Sequence, residues 1–72
     1  MEAKDEQLIL SLVERDPDLK RFYDEHVMLE KKLASFNHKG FLNQDEEVER
    51  KRLQKVKLAG KDRMMEILSK YR

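Results

Sequence analysis

The sequence has no cysteine and no tryptophan, and only one proline and two glycines in 72 residues. Without cysteine there is no disulfide, no thiolate nucleophile and no cysteine-held zinc, so the usual staples of a small secreted scaffold are excluded. A reducing compartment, the cytosol, is the expected setting. The opening stretch MEAKDEQL lacks the basic and apolar regions of a signal peptide, and no apolar run approaches the roughly 20 residues of a membrane span. A glycine-rich phosphate loop and a serine–histidine–acid arrangement are also missing, and Ser11, Ser35 and Ser69 are scattered. A chain this short encloses little pocket, so neither catalysis nor a cofactor is expected.

What the chain does have is charge: 43% of residues are charged and 39% hydrophobic. That mixture suits amphipathic helices and disfavours a β-sandwich or closed α/β sheet. Small chains bury proportionally little surface, so any core is thin. The net charge of +1 conceals an asymmetry: residues 1–47 hold 7 Lys or Arg against 12 Asp or Glu, and residues 48–72 hold 9 against 3. Halves of about −5 and +6 would attract one another.

In order along the chain, LILSLV at residues 8–13 reads as a helix from about residue 4 to 15. Leu8 and Leu12 share a side, Ile9 and Val13 lie beside them, and Leu10 falls roughly opposite Leu8. Asp16-Pro17-Asp18 supplies an N-cap and a proline at the first helical position, so a second helix starts at residue 17, after a turn or a kink. It runs to about residue 36 with Leu19, Phe22, His26, Leu29, Leu33 and Phe36 spaced 3, 4, 3, 4, 3, an a/d seam. Tyr23 widens that face, and Met28 points away from it, to solvent or to a partner. The stretch Phe36 to Asn43 breaks the pattern, with Gly40 available for the left-handed conformation. Asn43 and Glu46 then have capping-box spacing, opening a third helix from about 44 to 71. On it, Leu53, Val56, Gly60, Met64, Ile67, Leu68 and Tyr71 form one face, with Leu58 and Met65 a narrower second stripe.

The short connection makes the two arms antiparallel neighbours. Matching outward from the turn predicts Leu33 near Val48, Leu29 and His26 near Leu53, Leu19 and Phe22 near Leu58 to Lys61, and Leu12 near Leu68. Gly60 would then face Phe22 and Tyr23 and make room for a ring. Two helices bury one stripe each, which rarely exceeds the about 1.5 kcal/mol per residue lost on ordering a small chain. Self-association follows as an expectation.

Three marks together resemble the YdcH-like family of small bacterial proteins, a domain of unknown function. They are the leucine-rich opening ahead of a proline, Leu8 to Pro17; the Phe-x-x-x-His segment Phe22 to His26, with Glu25 before the histidine and Leu29 after; and the block Leu53, Lys57, Leu58, Lys61, Asp62. Val56 and Gly60 depart from the pattern. The resemblance covers nearly the whole chain and implies a cytosolic helical hairpin that dimerises, with no activity or catalytic residue to carry over.

His26 would be the first choice for a site, with Glu25 or Glu30 as helper. The only other histidine, His38, lies in the connection, and metal sites need three or four converging ligands. A core histidine hydrogen-bonded across the hairpin is the expected role, with pH-sensitive packing as its functional variant. The acidic run Asp45 to Glu47 lacks the ligand spacing of an EF-hand. Arg50, Lys51, Arg52, Lys55, Lys57, Lys61 and Arg63 form a candidate nucleic-acid face, although no base-reading motif accompanies them and few aromatics are available for stacking. The reading is a single all-α domain over residues 1–72. It is an antiparallel helical hairpin with a broken or kinked N-terminal arm that dimerises into a bundle or coiled coil. Leu10, Leu58, Met65 and Leu68 are the candidate interface toward a second copy or another protein's helix. Weak nucleic-acid binding is the alternative, and neither a metal nor a membrane is expected as a partner.

Overall fold

The computed structural model describes residues 2–72 and is all helical: α1 (Ala3–Leu12), α2 (Pro17–Asn37) and α3 (Gln44–Ser69). Helices α2 and α3 form the antiparallel hairpin, and α1 folds back along one side of it. The molecule measures 42 × 18 × 17 Å, close to the about 39 Å that the 26 residues of α3 span at 1.5 Å each.

Local chemistry places the boundaries. Pro17 excludes helical backbone at Asp16, whose φ of −125° and ψ of 100° are extended. The first arm is therefore broken by a turn, and α1 stops at Leu12 instead of running to residue 15. Asp16 accepts hydrogen bonds from the backbone N–H of Asp18 and Leu19, both at 3.1 Å, satisfying donors that a helix start leaves open. At the start of α3 the capping box forms: Glu46 N–H donates to Asn43 Oδ1 at 2.8 Å, and Asn43 N–H donates to Glu46 Oε1 at 3.2 Å. Gly40 does not adopt the left-handed conformation, since no described glycine has positive φ. Instead α2 closes with a tightened last turn, where His38 and Lys39 N–H groups donate to Ala34 and Phe36 carbonyls.

Two apolar clusters hold the helices together. Ile9 and Leu12 of α1, Leu19 of α2, and Met64 and Leu68 of α3 form the first, with all three helices contributing. Leu29, Leu33 and Leu53 form the second, flanked by Phe36 and Val56, and here only α2 and α3 meet. The expected pairings of Leu12 with Leu68 and of Leu29 with Leu53 are present. Leu19 instead packs with Met64 and Leu68, about one turn beyond the expected Leu58 to Lys61, and Val48 is exposed instead of facing Leu33. At the connection Lys39 pairs with Glu46 in the first turn of α3. The register therefore departs from the expected one at Leu19 and at Val48, and keeps it at Leu12 and Leu29.

The structure also corrects Gly60. A Cβ built there meets nothing within 4 Å, so the glycine accommodates no ring. Gly60→Ala is expected to stabilise the protein by about 0.5–1 kcal/mol, because alanine fits the helix and restricts the unfolded chain more. Urea denaturation of the two proteins measures this, and a loss of stability would show that the position is crowded.

Tyr71, expected on the apolar face, is exposed and makes a polar tie: its hydroxyl donates to Asp16 Oδ2 at 2.9 Å, joining the end of α3 to the α1–α2 turn. The Leu19 backbone N–H and then Tyr71 hold the Asp16 carboxyl below its ordinary 3.8. Glu46 is lowered from 4.5 by Lys39 and the Asn43 N–H, and Glu49 by Arg52. Carboxyls depressed in the fold contribute stability above their unfolded values and lose it as pH falls through the folded ones. The melting temperature is therefore expected to hold down to about pH 5 and fall below about pH 4. Asp16→Asn keeps an acceptor at the cap, so its melting temperature should fall less between pH 4 and pH 2 than that of the wild type.

Candidate functional site

Of the four apolar residues expected at an interface, Leu10 and Leu58 are exposed, Met65 is half-buried against the first cluster, and Leu68 is fully buried within it. Leu68 is thus a core residue of the chain itself. It lies beneath α1, where Ile9 and Leu12 cover it, in keeping with the expected pairing of Leu12 with Leu68. Leu10 and Leu58 belong to neither cluster. The feature that sequence reasoning left open is Met28, exposed at the rim of a trough of about 710 Å³ between α2 and α3. Leu29, Leu53 and Val56 also line this trough, with Lys32 and Arg52 at one end and Lys20, Arg21, Asp24 and Glu25 toward the other. The outward position of Met28 in the a/d pattern was the available signal, but which part of α3 lies beside it depends on the register.

The seven basic residues of α3 do not share a face. At about 100° per residue, Arg50, Lys57 and Lys61 lie on one flank of the Leu53 side, Arg52 and Arg63 on the other, and Lys51 and Lys55 point outward. Arg50, Arg52 and Arg63 each pair with a carboxylate three residues away in α3 itself, Glu47, Glu49 and Glu66. Lys57 alone of the seven reaches the other arm, at 3.6 Å from Glu30. The charge asymmetry dissolves for the same reason. α3 holds seven Lys or Arg against six Asp or Glu, because its acidic first turn belongs to it, and α2 holds four of each. Attraction between oppositely charged arms is therefore not what joins the hairpin. Exposed pairs of this kind contribute only about 0–1 kcal/mol.

His26 is buried on the hairpin side of α2, and its Nε2 lies 2.9 Å from Glu30 Oε1. The bond is to its own helix, one turn on, instead of across the hairpin. Because a carboxylate only accepts, Nε2 is the donor. Lys57 meets the same Glu30 oxygen and so connects the pair to α3. Nδ1 has no hydrogen-bond partner and adjoins a cavity of about 80 Å³ lined by Glu6, Tyr23, His26, Val27 and Glu30. That volume is ample for ordered water. Burial, then the neighbouring Glu6 carboxylate, raises the Tyr23 hydroxyl above its ordinary 10.0. Glu6, Tyr23, His26, Glu30 and Lys57 thus form a polar seam across all three helices. Among the described residues no group of three or more His, Cys, Asp or Glu side chains converges as a metal site would require. His38 lies exposed in the connection.

No family model, curated protein or solved structure matches the chain. Among the described residues no helix is long and apolar enough to cross a membrane.

Proposed function

We propose that this protein is a non-enzymatic helical module of the cytosol that works by pairing its helices with those of a second copy or of another protein. One observation carries the reading: the face of the α2–α3 hairpin away from α1 has no covering helix, although apolar side chains line it along the trough. The second cluster has only two helices to close it, and a thin core of this kind gains from association. The resemblance to the YdcH-like family points the same way, toward a hairpin that dimerises.

Sedimentation velocity over a concentration series tests the reading. A weight-average mass that rises from one chain toward two is the expected result. A strict monomer at all concentrations, with no helix-bearing partner captured, would remove it.

A further inference from the structure

Helix α1 covers only one face of the hairpin, where Glu6 stands beside Tyr23 and Val27. On the opposite face lie the trough rimmed by Met28 and a second hollow of about 480 Å³ beside Phe22 and Ile67, and no α1 residue lines either. Met28 is 60% exposed there. We propose that this face is covered by the same face of a second copy, in an antiparallel, two-fold symmetric dimer whose axis passes by Met28 and Val56. The proposal rests on self-association as the mode of action and deepens it by assigning the surface and the orientation.

Charge selects the occupant. About a two-fold axis at Met28, each α2 residue meets the one equally far on the other side of Met28 in the second copy. Asp24 then faces Lys32 of the second copy, and both residues line the trough. About Val56, the same operation sets Glu49 against Arg63 of the second copy and Arg52 against its Gly60, around which space is open. Asp24 already pairs with Lys20, and Glu49 with Arg52. These carboxylates are solvent-exposed and retain lone pairs for a second donor.

The other face-to-face arrangement, with the axis along the helices, lays α2 over α3 of the second copy. Lys32 and Arg52 border the same trough, and Arg21 and Arg63 the same hollow. That arrangement would therefore bring Lys32 onto Arg52 and Arg21 onto Arg63, like charges that disfavour it. A face bounded by the 42 and 18 Å extents is on the order of 750 Å², near the about 800 Å² per partner of a standard stable interface.

Sedimentation equilibrium of exposed-site variants, with helicity checked by circular dichroism, tests the surface. Met28→Glu is expected to raise the dimer Kd at least about tenfold, whereas Leu58→Glu, on the far side of α3, leaves it within about threefold. Asp24→Lys and Lys32→Asp should each weaken the dimer, and the two together should restore it. The chain has no cysteine, so Met28→Cys introduces a unique thiol that the axis places opposite itself. It should form an interchain disulfide that Leu58→Cys does not. A wild-type dimer indifferent to Met28→Glu and to the charge exchange would overturn this surface and leave self-association standing. A wild-type monomer would overturn both.

Discussion

Met64→Ala is expected to cost about 2–5 kcal/mol, the range for truncating a buried aliphatic side chain. Met64 is fully buried, and around it meet Ile9 and Leu12 of α1, Leu19 of α2 and Leu68 of its own helix. Truncation opens a cavity where three helices converge, so no single helix can move to close it without breaking a second contact. A domain of this size has a total stability on the order of 5 kcal/mol, so the variant should keep no more than about 3 kcal/mol and melt at a markedly lower temperature. Urea denaturation followed by helicity, at one fixed protein concentration because association contributes to stability, measures the loss. Leu53→Ala should cost less, since its cluster is closed by two helices and open on the trough side. Leu58→Ala, at an exposed site, should stay within about 0.5 kcal/mol. If Met64→Ala proved as mild as Leu58→Ala, α1 would not be seated as described.

His26→Ala is expected to cost about 2–3 kcal/mol, whereas His26→Leu should remain within about 1 kcal/mol of the wild type. The imidazole is buried. Alanine leaves its volume unfilled, while leucine fills it. Glu30 is not stranded in either variant, because its side chain is half exposed and keeps Lys57. Thermal melts of the three proteins decide the matter. A leucine variant as damaged as the alanine variant would mean that the polar seam of Glu6, Tyr23, His26, Glu30 and Lys57 holds the helices together more than packing does.

Much of the architecture was legible because it depends on contacts a few residues apart. Asp16 and Pro17 mark a helix start through the geometry of two adjacent peptide units, and Asn43 with Glu46 marks another through reciprocal bonds three residues apart. The seam from Leu19 to Phe36 follows from helical periodicity alone. Less legible was anything that needed the register of α3 against α2. Placing Gly60 under an aromatic ring and pairing Val48 with Leu33 depended on counting outward from the connection, whereas assigning Leu68 to an interface ignored the same count, which set it beside Leu12. That count held at Leu12 and Leu29 and missed by about one turn at Leu19. The charge asymmetry misled for a related reason: a cut at residue 47 assigned the acidic first turn of α3 to the wrong arm.

The sequence by itself determined three helices, the N-caps of α2 and α3, the antiparallel hairpin and the absence of cysteine chemistry, since each follows from residue type and short-range spacing, whereas the structure decided that the chain turns at Pro17 instead of kinking. Only the tertiary structure decided that α1 covers one face and leaves the other open. It also decided that His26 bonds along its own helix, and that Met28 stands at the rim of the uncovered face. Those outcomes depend on the rotation and axial offset of one helix against another, which packing of the full set of side chains selects and no local pattern encodes.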